Sequence, residues 1–378
     1  MIPLIDTHQH LVYRNEISYG WTKEIPPLAV DDFTIENYQS LTKDLGVGGT
    51  LFMETGVDDE DYQKETRYVK SLEDKSKSNM IGMISSIRPE NDEEFDLWFN
   101  ETLDIGVIGY RRILHIMPNE NSQSEIFRKN VRKIGQAGKT FDLCFLPSQL
   151  NVAKELALAC ENTSMILNHC GVPTIANNDL DPWRKDIEEL SNISNVTCKL
   201  SGLMAYCAPG TSSYETIEPY VDHVLKCFGP NRMVWGSDWP VVNLGKGLGE
   251  WIKVTRKILN KLSDDEANAI ANNELDPWRQ DMENLSKIPN VTCKLSGLMA
   301  YCAPGTSSYE TIEPYVDHVL KCFGPNRMVW GSDWPVVNLG KGLPEWIAVT
   351  RKILDKLSPN EAEAIANGTA QKIYKVKL

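Results

Sequence analysis

The chain has 378 residues, of which 42% are hydrophobic and 24% charged, and its formal net charge is −13. This size and balance are typical of a folded globular protein, and the negative charge argues against nucleic acid and anionic membrane surfaces as partners. The nine cysteines include no Cys-x-x-Cys pair. With no apolar run of membrane-span length and no secretory leader, we expect a cytoplasmic protein with reduced thiols.

In chain order, short apolar runs alternate with longer amphipathic segments. The predicted strands lie at residues 4–10, 49–54, 80–85, 107–113, 140–146, 165–169, 196–200 and 233–238. The helices that follow them are predicted at residues 34–45, 59–76, 92–103, 124–135, 148–162, 182–190, 214–227 and 250–262. Eight strand–helix units in succession favour an α/β fold of the closed (β/α)8 type, the TIM barrel, over an open sheet.

Polar side chains stand at the carboxyl ends of several predicted strands, where barrels of this type carry their active sites. His8 and His10 are two residues apart at the end of the first strand, so their imidazoles face the same side. They are a natural pair of metal ligands or electrophilic donors. Comparable positions are held by Glu54, Arg111, His169, Lys199 and Asp238.

The chain contains a long internal repeat, because residues 195–248 recur letter for letter at 290–343. The repeat carries the last two strand–helix units of the predicted barrel, and it gives Asp238 a duplicate, Asp333. An eight-stranded barrel has no place for ten strands, so one copy is surplus. That copy is folded against the outside, swapped into a partner chain or poorly ordered. A recent duplication and an error in the gene model both explain the repeat.

We therefore predict a barrel over residues 1–272 and a tandem duplicate with a C-terminal helix over residues 273–378. Either copy could complete the barrel. We favour the first copy, because it follows the sixth strand directly and is synthesised first. One feature favours the second copy. It has Pro344 at the first turn of its final helix, where proline is well suited, and the first copy has Gly249 there. A homodimer, domain-swapped or not, would accommodate the surplus copy.

Four segments carry a resemblance to known proteins: Ile5-Asp6-Thr7-His8-Gln9-His10, Gly109-Tyr110-Arg111, Leu167-Asn168-His169-Cys170-Gly171-Val172-Pro173 and Trp235-Gly236-Ser237-Asp238-Trp239-Pro240. Together they resemble the amidohydrolase-related family, in particular its lactonases of sugar and dicarboxylate lactones. The resemblance covers the chain from end to end once one copy is discounted. It implies a TIM-barrel hydrolase that opens a small-molecule lactone.

The resemblance also bears on the metal. Members of the wider superfamily with two metal ions use a carboxylated lysine from the fourth strand and a histidine from the fifth. Here the fourth strand offers Arg111 and the fifth offers Cys144 without a histidine, so we expect no binuclear site. What the resemblance leaves is one divalent ion, zinc being the best match, or hydrolysis without a metal. The ligands would be His8, His10, His169 and Asp238 or Asp333.

Roles for these residues follow from the resemblance. The three histidines polarise the lactone carbonyl, directly or through the metal, and one of the two aspartates takes a proton from water. Arg111 holds a substrate carboxylate or hydroxyl, or else pairs with a barrel glutamate such as Glu54. Trp21 and His115 are predicted to line the pocket, although the first also suits a core and the second a plain loop.

Two other functions compete with lactone hydrolysis. One is a metal-dependent decarboxylase of the same superfamily. The other is a catalytically inactive barrel whose closure the duplication has spoiled.

Overall fold

The computed structural model describes residues 2–75, 79–272, 277–302 and 307–376. By its internal contacts the chain divides into two units, Met1–Leu275 and Asp276–Leu378. The first unit contains eight parallel strands that follow one another in the sheet in the order of the chain, with helices between them. The predicted TIM-barrel fold is therefore confirmed.

The strands of the first unit are β1 Leu4–Gln9, β2 Val47–Met53, β3 Met80–Ser86, β4 Gly109–Ile113, β5 Thr140–Cys144, β6 Met165–Leu167, β7 Val196–Leu200 and β8 Met233–Trp235. Its helices are α1 Ile35–Thr42, α2 Tyr62–Lys75, α3 Asp92–Ile105, α4 Asn119–Gln123, α5 Glu125–Gln136, α6 Leu150–Ala159, α7 Asp181–Ser191, α8 Tyr214–Phe228, α9 Gly247–Leu259 and α10 Asp264–Asn272. The predicted end of the second helix, at residue 76, lies outside the described residues.

Helix α5 shows how the sequence sets a barrel helix. Ser124 caps its start by accepting a hydrogen bond from the Phe127 backbone N–H, as hydroxyl side chains do at helix N-termini. Phe127, Val131 and Ile134 are completely buried and lie three and four residues apart, so they form one apolar face. Phe127 packs edge-on against Phe141 of β5, with the ring centroids 6.0 Å apart.

Strands β6 and β8 both end before the carboxyl ends predicted for them. Strand β6 ends at Leu167 because His169 and Cys170 adopt left-handed backbone conformations, with φ of 52° and 53°. Strand β8 ends at Trp235, and Asp238, at φ 58°, lies beyond it. Such conformations are uncommon outside glycine. Both interruptions coincide with polar residues that face the barrel interior.

The barrel closes along a seam formed by residues 8–10 and 237–239. Gln9 and Trp239 form an isolated parallel bridge. The Asp238 N–H donates to the His8 carbonyl at 2.8 Å, and the His10 N–H donates to the Trp239 carbonyl at 2.8 Å. Strands β7 and β8 of this barrel come from the first copy of the repeat.

The second unit contains the other copy. Its elements are α11 Pro277–Ser286, β9 Cys293–Leu295, α12 Leu298–Tyr301, α13 Tyr309–Phe323, β10 Met328–Trp330, α14 Gly342–Leu354, α15 Pro359–Glu363 and α16 Thr369–Tyr374. Strands β9 and β10 form a two-stranded parallel sheet. Trp334 is 67% exposed, whereas its counterpart Trp239 in the barrel is 1% exposed. Identical sequence thus carries a buried indole at the seam and an exposed one in the second unit.

No helix of the described residues is long and apolar enough to cross a membrane.

Candidate active site

A cavity of about 340 Å³ opens at the carboxyl ends of the strands. Five polar residues of its lining were predicted from the sequence to belong to the site: His10, Arg111, His115, His169 and Asp238. Thr55 and Tyr206 also line it. Its remaining wall is largely apolar. A cavity of this size at this end of a barrel is the usual place for a small-molecule site.

His8, His10 and Asp238 form a buried cluster next to the cavity. The Nε2 atoms of His8 and His10 are 3.1 Å apart. The Oδ1 atom of Asp238 lies 3.7 Å from the His8 Nε2 and 3.5 Å from the His10 Nε2. The ligands of a tetrahedral zinc ion, each about 2.0–2.1 Å from the metal, are roughly 3.3 Å apart. These three atoms are therefore spaced like three corners of a metal site.

The tautomer of His10 is fixed by a contact outside the cluster. Its Nδ1 lies 3.0 Å from the Met53 carbonyl oxygen, so Nδ1 carries the proton and donates it. The Nε2 lone pair of His10 is then directed toward His8 and Asp238. A second-shell carbonyl that orients an imidazole in this way is a regular feature of metal-binding histidines.

Buried charge around the cluster also suits a cation. Five buried acidic side chains lie around two buried basic ones: Asp6, Glu54, Glu65, Asp142 and Asp238 around Arg111 and Lys199. Burial raises the pKa of Asp6 and of Glu65, and the other three acids alone outnumber the two bases. Within the described residues, the Oδ2 atom of Asp238 has no hydrogen-bond partner. An unpartnered buried carboxylate oxygen is costly unless a ligand binds it.

Asp6 holds the two sides of the seam together. One of its carboxylate oxygens accepts hydrogen bonds from the backbone N–H groups of His8 at 3.0 Å and Ser237 at 2.7 Å. The other accepts from the Tyr38 hydroxyl at 2.5 Å. These bonds fix the backbone that carries His8 to the backbone that carries Asp238.

Asp238 and His169 are suited to proton transfer. Burial by itself would raise the pKa of Asp238, but the neighbouring rings of His169 and His10 outweigh it and hold that pKa below its ordinary value. Burial lowers the pKa of His169 to about 4. At neutral pH the pair is therefore a carboxylate facing a neutral imidazole. The His169 Nδ1 lies 2.9 Å from the Ser201 Oγ and 3.8 Å from the Asp238 Oδ2.

Arg111 lies beside the cluster and is paired with Glu54. Its Nε donates to the Glu54 Oε1 at 2.5 Å, and its Nη2 donates to the Glu54 backbone carbonyl at 2.6 Å. Burial opposes ionisation of Glu54, but the guanidinium outweighs it and keeps the pKa of that carboxyl below its ordinary value. Of the two alternatives raised by the sequence, the structure shows the pairing with Glu54.

The remaining predicted residues are placed as follows. Trp21 lines the cavity and donates its indole N–H to the Thr55 carbonyl at 2.9 Å. His115 also lines the cavity, with its Nδ1 3.4 Å from the Cys144 sulfur. Asp333 belongs to the second unit, whose only histidine, His318, is on α13. Within the first unit, Asp238 is the aspartate that lies next to the Nε2 atoms of His8 and His10.

Several buried partners of the site residues could not be identified from the sequence. Asp142 accepts hydrogen bonds from Lys199 at 2.7 Å and from the Asn168 side chain at 2.6 Å. Its position within a predicted strand, among apolar neighbours, was the one available signal. Ser201 and Tyr206, which flank His169, carry no such signal, because both follow a strand in an ordinary polar loop.

Glu65 of α2 is a buried acid beneath the site. Its Oε1 accepts a hydrogen bond from the Thr55 N–H at 3.0 Å. Burial and the charge of Glu54 raise the pKa of Glu65 to about 8, against an ordinary value of 4.5, although Arg111 partly offsets them. The folded chain thus binds a proton that the unfolded chain releases above about pH 4.5, and stability falls as the pH rises from there to about 8.

We expect Glu65→Gln to remove this pH dependence, because the amide is neutral throughout. The full effect on the free energy of unfolding is about 5 kcal/mol as an upper bound. Urea unfolding at pH 5 and pH 8 measures it. The exposed Glu93→Gln is the control and should keep the wild-type difference between the two pH values. A Glu65→Gln protein that loses as much stability at pH 8 as the wild type would contradict the assignment.

Comparison with known proteins identifies the relatives of the chain. A family model described as Amidohydrolase matches residues 5–273 and, again, residues 268–376. An L-fucono-1,5-lactonase from Burkholderia ambifaria is 25% identical over 250 residues, which cover 65% of this chain and 83% of that protein. A 4-sulfomuconolactone hydrolase from Rhizobium radiobacter is 24% identical over 245 residues, which cover 62% of this chain and 75% of that protein.

Among solved structures, an amidohydrolase from Burkholderia multivorans with bound zinc has the same fold. The TM-score is 0.63 at 21% identity, and the match covers 71% of this chain and 96% of that one.

Proposed function

The chain belongs to the amidohydrolase family, and from this premise we propose that it is a hydrolase that opens the ring of a lactone. The observation that carries the proposal is the position of Asp238, a buried carboxylate in contact distance of three imidazoles at the base of a cavity. The lactone-hydrolysing relatives support the reaction class.

In the proposed mechanism, Asp238 is the general base. Its lowered pKa keeps it ionised at neutral pH, so it can take a proton from a water molecule as that water attacks the lactone carbonyl. The resulting carboxylic acid then returns the proton to the ring oxygen as the carbon–oxygen bond breaks. The products are a hydroxy acid and the regenerated carboxylate.

The carbonyl oxygen needs a donor while negative charge develops on it. His10 lacks a free N–H at Nε2, because its proton is held at Nδ1 by Met53. His169 is the better donor, since the Ser201 hydroxyl at 2.9 Å can donate to Nδ1 and leave the proton on Nε2. We assign His169 to polarisation of the carbonyl and His8 and His10 to the metal-binding side of the cluster.

The residues present fit one divalent ion, with His8, His10 and Asp238 as its ligands and zinc as the best match to this donor set. Such an ion supplies a Lewis acid for the carbonyl and lowers the pKa of bound water. Zinc in the structure of the Burkholderia multivorans relative supports the proposal.

The proposal is tested by incubating the purified chain with γ- and δ-lactones. Hydrolysis is detected as release of acid in a weakly buffered solution that contains a pH indicator. We expect turnover that falls on dialysis against a chelator and returns when zinc is added. Turnover that is unchanged after dialysis against the chelator would contradict the proposed metal ion but not the proposed hydrolase activity. A folded protein that opens no lactone, or that releases carbon dioxide from an aromatic carboxylate instead, would overturn the function.

A further inference from the structure

The side chains around the cavity define which lactones it can accept, and this inference rests on the function proposed above. We propose that the substrate is an uncharged lactone whose ring carries an apolar substituent, and not a dicarboxylate lactone or a polyhydroxylated sugar lactone.

Arg111, the arginine of this cavity, is committed to protein partners. Two of its nitrogens donate to Glu54 at 2.5 and 2.6 Å. The third, Nη1, lies 3.4 Å from both the His8 Nε2 and the Asn168 Oδ1. Nε and Nη2 could bind a substrate carboxylate only if it displaced Glu54, which would leave a buried charge without its partner. Arg111 is therefore a structural cation.

The other ionisable groups of the cavity do not replace it. His115 lies against a thiol, with its Nδ1 3.4 Å from the Cys144 sulfur, and His169 is held by the Ser201 hydroxyl, 2.9 Å from its Nδ1. A carboxylate on a ring substituent would therefore meet no unpaired arginine along the cavity wall, so no ion pair would offset the cost of removing it from water.

A neighbouring cavity of about 470 Å³ shares Trp21, Gly56, Ile113 and Ile116 with the first. Two more arginines line it, and both are paired. Arg88 donates to the Asp59 Oδ1 through Nε at 2.9 Å and Nη2 at 2.6 Å.

Arg112 binds Glu90, with its Nε 2.8 Å and its Nη2 2.6 Å from the Glu90 Oε1. Among the described residues that line these two cavities, each arginine has an acidic partner.

Apolar side chains form much of the remaining wall of the first cavity. They are Ile113, Ile116, Phe145, Leu146, Val172 and Val241. Each CH₂ group that a substrate buries against such a wall contributes roughly 0.8 kcal/mol, whereas a hydroxyl buried there without a partner costs binding free energy. With the lactone carbonyl at Asp238 and His169, a ring substituent is directed toward this wall.

Four δ-lactones separate the possibilities: the unsubstituted ring, the ring with a butyl side chain, the same ring with a carboxylate at the end of that chain, and an aldono-1,5-lactone. We expect kcat/KM for the butyl lactone to exceed that for the carboxylate and the sugar lactone by about 100-fold or more. A carboxylate or sugar lactone that is turned over as well as the butyl lactone overturns the inference and leaves the hydrolase standing. No turnover of any of the four, and none of the γ-lactones tested for the proposed function, overturns both.

A second experiment introduces a positively charged side chain at the cavity. Ile116 is 71% exposed at the cavity rim, so Ile116→Arg should fold and should offer a substrate carboxylate an unpaired partner. We expect it to lower the ratio of butyl to carboxylate turnover at least about 10-fold, mainly through KM. Leu97→Arg, at a 76% exposed position of α3, is the matched control and should leave the ratio unchanged. Equal ratios in both variants would contradict the assignment of the cavity wall.

Discussion

Asp238→Asn should lower kcat/KM for lactone hydrolysis by about 10³-fold, whereas Asp333→Asn should leave it unchanged. The amide keeps the size of the carboxylate but cannot accept a proton from water, and a positioned general base contributes roughly 10²–10⁴-fold. The two variants are a matched pair, because the surrounding sequence, from residue 195 to 248 and from 290 to 343, is identical. Only the position in the fold differs.

Steady-state kinetics on one lactone measures both variants, with circular dichroism to show that each remains folded. Equal partial losses would mean that the two copies exchange places in the barrel, so that each aspartate serves in a fraction of the molecules. Loss of activity in Asp333→Asn alone would show that the second copy closes the working barrel.

The second large effect is expected for the double variant His8→Ala/His10→Ala. It removes two of the three candidate ligands and two of the three imidazoles near Asp238, so turnover should fall by about 10³-fold or more. Bound zinc, measured in the purified protein, should fall with it. The fold should survive, because Asp6 still joins the two sides of the seam through the backbone N–H groups of residues 8 and 237.

The matched control replaces two histidines outside the site, His223→Ala/His318→Ala. Both are partly buried helix residues. The His223 ring packs 5.4 Å from that of Trp183 and its Nε2 donates to the Arg184 carbonyl. This control should lose stability and keep its turnover number. If the His8/His10 variant fails to unfold cooperatively while the control does, the pair serves the structure and the proposed site is wrong.

The alternation of strands and helices was sufficient to predict the barrel, and with it the shared end at which His8, His10, His169 and Asp238 lie. Parallel strands of one barrel have their carboxyl ends together, so residues far apart in sequence are placed by topology alone.

The partners of buried charges could not be predicted in the same way. Arg111 is 57 positions from Glu54, and nothing in a local pattern distinguishes an arginine that binds substrate from one that binds a glutamate. The left-handed residues after β6 and β8 were also missed, because non-glycine residues in this conformation are set by the surrounding tertiary structure.

The seam described above joins the beginning of the barrel to its end, since His8 and Asp238 are neighbours in space and 230 positions apart in the chain. A nascent chain that has exposed only β1 to β7 lacks Asp238, so it contains no working centre however its strands pair. Catalytic competence therefore requires β8 to meet β1. Recovery of activity during refolding should consequently lag behind recovery of helical signal, and enzyme assays would time the closing of the ring.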